Sequence, residues 1–223
     1  MTEQNESSIV RVGTDVTGRG IAGLFTAIKS VRRLRPIHPR GELFVGQIEW
    51  LSGRTMRSGI SWIDSPPNDG RQDVTVRVSR SVGFAPPLPD VIGLAFRFDT
   101  EQGDADLMLA SSWLGVPGRF LLRLGRSATG NFASLMPYRG EFGPVEIAAR
   151  TVESRDGQWN IELLHASSTS KWKRFAVVHL DAEPLPDPAD LRFDSMLNPL
   201  PGAETYPWAR RLRERSYAVA RKG

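Results

Sequence analysis

From residue 42 onward the chain alternates apolar and polar positions with a period of two. The pattern is cleanest in Thr75-Val76-Arg77-Val78-Ser79 and in Trp159-Asn160-Ile161-Glu162-Leu163. A strand with one buried face requires this alternation, because successive side chains leave a strand on opposite sides. Strands are predicted over 42–51, 59–63, 74–81, 92–99, 105–111, 119–124, 145–152, 159–165 and 172–180. The separators carry turn chemistry: Ser65-Pro66-Pro67-Asn68-Asp69-Gly70, Glu101-Gln102-Gly103-Asp104 and Asp156-Gly157. Eight or nine short strands with no helix between them predict an antiparallel barrel or sandwich. A barrel of about eight strands is preferred, since closure removes exposed edges and leaves an end where helices can form a pocket.

Helical spacing is confined to the two ends of the chain. Ile21, Leu24, Phe25, Ile28, Val31 and Leu34 share one face of a helix over 18–34, which Pro36 stops. Beyond Asp181 comes a proline-rich stretch, Glu183-Pro184-Leu185-Pro186-Asp187-Pro188. A short helix is predicted over 189–197 and a terminal helix over 208–220, with Pro207 at its start. Residues 1–14 are polar and read as a flexible N-terminus, and 15–223 as a single domain. The fold class is therefore mainly β (α+β): an antiparallel barrel of about eight strands with an N-terminal helix and C-terminal helices.

Composition narrows the function classes. The 223 residues are 40% hydrophobic and 24% charged, which supports an ordinary core. The chain has no cysteine, which excludes disulfides, thiol nucleophiles and thiolate metal sites. That fits a reducing compartment. Met1 to Ser8 is polar with no apolar run of a secretory signal, and no stretch is long and apolar enough to span a bilayer. A cytoplasmic location without a membrane span is the expectation. The net charge of +4 comes largely from arginine, much of it in 29–40 and 209–222. A solvated basic surface and pairing with an anionic group, nucleic acid or lipid are both compatible with it.

Three histidines are candidates for chemistry. His38 lies between Pro36 and Pro39, which fix the backbone around it, and leads into a strand expected to face the barrel lumen or its mouth. His165 and His179 fall in ordinary strand alternation and read as structural. Three dispersed histidines without an acidic cluster do not form a zinc site. Near the C-terminus Arg213 precedes Tyr217 by four residues, on one face of a helix. A fixed positive charge there favours the ionised phenol, whose ordinary pKa is about 10.

Several segments in order resemble the catalase superfamily. Arg35-Pro36-Ile37-His38-Pro39-Arg40-Gly41 with Gly46-Gln47-Ile48-Glu49 resembles its distal-histidine segment. Val76-Arg77-Val78-Ser79 resembles its V-R-F-S strand, and Asp90 to Glu101, with Gly103 and Asp106-Leu107, is similar to its D-x-x-G-x-A-x-[KR]-F-x-T-E segment. Ser134-Leu135-Met136-Pro137-Tyr138-Arg139 resembles a strand of the smaller catalase-related peroxidases, and parts of the arrangement resemble short actinobacterial catalase-related proteins. Pro201-Gly202-Ala203-Glu204 and Arg213-x-x-x-Tyr217 resemble the approach to the proximal tyrosine.

The resemblance implies a catalase-like barrel carrying haem b and its iron. It implies Tyr217 as the axial iron ligand, a role tyrosine is known to fill, with Arg213 supporting the phenolate. Arg35 and Arg77 would pair with the haem propionates by charge-assisted hydrogen bonds. Arg77 is the more telling of the two, because it sits between apolar residues where an unpaired charge is costly. His38 would be the distal acid–base toward hydrogen peroxide or an organic hydroperoxide, and Ser79 would fix its tautomer. Nucleic acid is not among the expected partners; a homodimer is.

The chain departs from the family pattern in three places. Asp106-Leu107 is followed by Met108-Leu109-Ala110-Ser111-Ser112, so Ala110 takes the position of the family's distal asparagine, with Ser111 as the neighbouring hydroxyl. A methyl group cannot hydrogen-bond a peroxide, so a peroxidase-like activity with weak catalase turnover is expected. Only Arg221 and Lys222 remain as cations after Tyr217, and the chain is short for the family. Two rival readings stand beside the first. One is an isomerase or dehydratase of lipid hydroperoxides; the other is a haem-less barrel that binds a lipid or an anionic partner.

Overall fold

The computed structural model describes residues 41–52, 57–116, 118–153, 159–167, 169–181, 183–186 and 191–211. Strands β1 (Gly41–Trp50), β2 (Arg71–Arg80), β3 (Asp90–Thr100) and β4 (Gly103–Ser111) follow the predicted alternation within a few residues. So do β8 (Gly143–Glu153), β9 (Trp159–Ala166) and β10 (Lys173–Leu180). The short strands β5 (Leu124–Gly125), β6 (Asn131–Ala133), β7 (Tyr138–Gly140) and β11 (Glu204–Thr205) complete the set. All pairings are antiparallel, in the order β8-β6-β4-β3-β2-β1-β10-β9, and β9 returns to β8. The barrel therefore closes with eight strands, and β5, β7 and β11 attach outside the ring.

Inward-facing residues fill the barrel. Val74, Val76 and Val78 of β2 meet Ile92, Leu94, Phe96 and Phe98 of β3, all at most 9% exposed. Phe96 and Phe98 have no exposed surface at all. Packing this dense fills the lumen with side chains.

Two predicted strands are not strands. Residues 59–63 lead into a one-turn helix, α1 (Ser61–Asp64), which closes one end of the barrel. Its Trp62 ring lies 5.6 Å from Trp50, 4.7 Å from Phe98 and 5.7 Å from Phe175. Asp64 fixes the entry to this turn by accepting hydrogen bonds from the backbone N–H groups of Ser58 and Gly59. Within 119–124, Gly118–Phe120 forms a 3-10 turn, and only Leu124 joins a sheet, in β5. Arg119 interrupts that segment: its guanidinium is buried against Glu146 at 3.0 Å and over the Trp172 ring at 4.7 Å.

The described part of the predicted 189–197 helix is not helical: 191–194 is irregular and 195–197 is a turn. Helix resumes at 207–211, where Pro207 was expected to start it. The predicted N-terminal helix over 18–34 lies outside the described residues.

Candidate functional site on the outer barrel wall

Residues directly opposed in antiparallel strands point to the same side of the sheet. The register places Gly41 opposite Ser79, Ser79 opposite Gly93, Gly93 opposite Ala110, Ala110 opposite Ala133 and Ala133 opposite Ala148. Their strand neighbours Val78, Ile92, Leu94, Leu109, Phe132 and Ile147 all belong to the inner core. The six small residues therefore form one lateral row on the outer wall. The row curves with the barrel, and Ala133 and Ala148 at its far end are covered; the remaining stretch from Gly41 to Ala110 crosses four strands at about 4.8 Å spacing and is roughly 14 Å wide. Two residues further along each strand lies a second outward row, Leu43, Arg77, Ala95 and Met108. Glycine and alanine across neighbouring strands leave a shallow, smooth shelf where branched side chains would leave ridges.

Arg77 lies at the edge of this shelf. A Cβ at Gly41 would fall 2.7 Å from the Arg77 Cζ, so only glycine there lets the guanidinium lie across β1. Arg77 is half-buried, and Ser79, two residues on and on the same face, is 7% exposed. A cation and a hydroxyl thus share the outer face at the strand end where β1 begins.

The shelf is framed on two sides. Along β3 and β4 the next outward pair is Arg97 and Asp106, joined by two hydrogen bonds of 2.8 Å. Asp106 also accepts from the Asp194 backbone N–H at 2.7 Å and from Asn198 Nδ2 at 2.9 Å. Its own N–H donates to the Asn198 carbonyl. The Asp106 carboxylate, through these hydrogen bonds and its charge, raises the Arg97 pKa above the ordinary arginine value, against the opposing effect of burial, with a smaller contribution from Asp104. This anchor binds residues 192–198 to the wall, and the chain proceeds from there to the helix at 207–211. On the other side Ala133, Ala148 and Leu164 form a small outer cluster covered by Leu114 and Trp172. Trp172 Nε1 donates to the Leu114 carbonyl at 2.7 Å.

Of the site residues expected from sequence, Arg77 and Ser79 come together on the outer wall. His38, Arg35, Arg213 and Tyr217 lie outside the described residues. The segment that carries His38 enters β1 at Gly41, opposite Ser79. Arg213 and Tyr217 follow the helix at 207–211 in the sequence. Ala110 lies in the shelf itself, between Gly93 and Ala133. Ser111 does not replace a missing donor there. Its hydroxyl accepts from the Ile92 N–H at 3.1 Å and donates to the Arg123 carbonyl at 2.5 Å. His165 packs inside the barrel, edge-on to Phe175 at 6.0 Å, and His179 Nδ1 lies 2.7 Å from Asn160 Oδ1 at the surface.

Sequence reasoning assigned no role to Gly93, Ala95, Ala133 and Ala148. The signal was present, as small residues at outward positions of predicted strands. Only the cross-strand register shows that they align.

No family profile and no curated protein matches this sequence. The fold is similar to the crystal structure of a fungal catalase, with a TM-score of 0.56 and 14% sequence identity. The match covers 89% of this chain and 62% of the fungal one, so the chain spans less than two thirds of that protein's length. The likeness is one of fold: a closed eight-stranded barrel of the catalase kind.

Proposed function

We propose that the protein is a small catalase-related haem protein that reacts with hydroperoxides in the manner of a peroxidase. The observation that carries this reading is the outer shelf. It is a strip of small residues, Gly41, Ser79, Gly93 and Ala110, with Arg77 at its edge, next in the chain to the His38 segment. Its described residues fit haem b: small side chains admit a planar macrocycle, and Arg77 is suited to pair with a propionate carboxylate. Tyr217 would ligate the iron with Arg213 favouring its ionised form, and Arg35 would join Arg77 at the propionates. When bound, haem supplies a ferric centre that weakens the O–O bond of a hydroperoxide.

His38 does the proton work. Its imidazole takes the proton from one peroxide oxygen and returns it to the other as that oxygen leaves as water or alcohol. Ser79 holds the imidazole in the tautomer that leaves the acceptor nitrogen toward the peroxide. Ala110 offers no hydrogen bond to a second hydrogen peroxide, so two-electron oxidation of that molecule to oxygen is slow and an external electron donor completes the cycle. The same methyl group favours a second reading, in which a lipid hydroperoxide is rearranged without a donor.

The test is the rate of peroxide consumption by the haem-loaded protein and by its His38→Ala variant. Positioned proton transfer is worth about 10²–10⁴ in rate, so the variant is slower by at least about a hundredfold with haem retained. An unchanged rate removes His38 from the mechanism. Product analysis with a fatty-acid hydroperoxide separates the readings: the alcohol marks a peroxidase, a ketol or epoxide the rearrangement.

A further inference from the structure

The barrel end nearest the shelf exposes apolar side chains that no described part of the chain covers. Phe84 and Leu88, in the loop between β2 and β3, are 41% and 56% exposed. Trp113, Val116, Leu121 and Leu124, between β4 and β6, are 51–60% exposed. The two loops are tied into one surface. Leu124 of β5 pairs with Val91 at the start of β3. Arg80 donates to the carbonyls of Phe84, Leu88 and Arg126. Ser112 bridges to Leu122, and the Arg123 N–H donates to the Ser111 carbonyl at 2.7 Å. Six large apolar groups on one end exceed the scattered exposure of a typical surface and mark an interaction site.

Charge selects the partner. Residues 81–89 and 112–130 contain no aspartate or glutamate, and their charged residues are Arg119, Arg123 and Arg126. Arg119 is neutralised within the fold by Glu146, and Arg80 lies 3.9 Å from the buried Asp90 carboxylate. The surface therefore presents the exposed Arg126, with the half-buried Arg123 over the Trp113 ring at 5.7 Å beside it. An amphipathic tryptophan beside arginines, with isoleucine-sized apolar groups offered singly from loops, is the composition of an interfacial membrane anchor.

We propose that this end of the barrel docks on an anionic lipid bilayer, with the exposed side chains of Trp113, Val116, Leu121 and Leu124 inserted among the headgroups. Contact of this kind adds apolar burial to attraction of arginine for anionic lipid.

The experiment is co-sedimentation of the full chain with vesicles of phosphatidylcholine alone and with about 30% phosphatidylglycerol. It reads the surface alone and runs with or without haem, so its failure is distinct from failure of the haem reading. The expected result is association with the mixed vesicles that is stronger than with neutral ones and falls at about 0.5 M salt. The double substitution Leu121→Ser with Leu124→Ser weakens it about tenfold. Arg126→Glu removes the preference for anionic lipid. Both variants alter exposed side chains, and an unchanged melting curve establishes that they fold. No association with either vesicle, or equal association of the double variant, overturns the proposal. So does a concentration-dependent dimer that the double variant abolishes while vesicles remain unbound.

Discussion

Asp106 is the residue whose removal connects the barrel to the site. Its side chain is fully buried, and its two oxygens accept four hydrogen bonds: two from Arg97, one from the Asp194 N–H and one from Asn198. In Asp106→Ala the two uncharged donors lose about 1 kcal/mol each, and the charged pair about 1.5–3 kcal/mol. Arg97 retains Asp104 at 3.4 Å and is 19% exposed, so water partly replaces its lost partner. The net destabilisation is then about 3 kcal/mol, which for a chain of this size lowers Tm by about 6–12 °C. The half-exposed Asp104 is the control, since Asp104→Ala costs less than about 1 kcal/mol. Urea denaturation gives both values. The sign of the pH dependence follows from Arg97, whose pKa is raised in the folded state. Its contribution is fully present below the ordinary arginine value and is lost only as pH rises through the raised one. The Tm gap between wild type and Asp106→Ala is therefore constant from about pH 7 to 10. Limited proteolysis of the variant should cut first within 191–200, because the anchor to the wall is gone. A loss under about 1 kcal/mol would show that this segment is held by something other than Asp106.

Three further outcomes follow from the same geometry. Gly46→Ala places a methyl group against the His179 carbonyl oxygen of β10, so the variant loses about 2 kcal/mol or more in denaturant titration. Arg119→Met leaves Glu146 buried without its cation and costs about 3–5 kcal/mol by the same assay. Ala110→Asn puts an amide on the shelf between Gly93 and Ala133 and raises oxygen release from hydrogen peroxide, measured with an oxygen electrode on haem-loaded protein.

The long strands were legible because each buries one face, and burial imposes a period of two that survives in the residues themselves. Val74, Val76 and Val78 show it, and so do Phe96 and Phe98. The short elements were not. Ile60, Trp62 and Ile63 alternate closely enough to pass for a strand, but Asp64 folds back on the Ser58 and Gly59 N–H groups and makes a turn. Phe120, Leu121 and Leu122 look like strand core, yet Leu121 is half-exposed and Arg119 is the buried member of the segment. The β6 strand, which completes the ring, has only three residues, and its partners β4 and β8 are set by contacts distant in sequence. The site divides in the same way. Arg77 and Ser79 stood out as polar residues in an apolar strand. The shelf beside them is a property of register across six strands, and no local pattern encodes it.

The central claim is that haem lies on this wall and is ligated by Tyr217. Titration of the purified chain with ferric haem, followed by absorption spectroscopy, tests it most directly. The account predicts a Soret band that saturates at one haem per chain, with the spectrum of a tyrosinate-ligated iron that is lost in Tyr217→Phe. Failure to bind haem, or an identical spectrum in Tyr217→Phe, would contradict it.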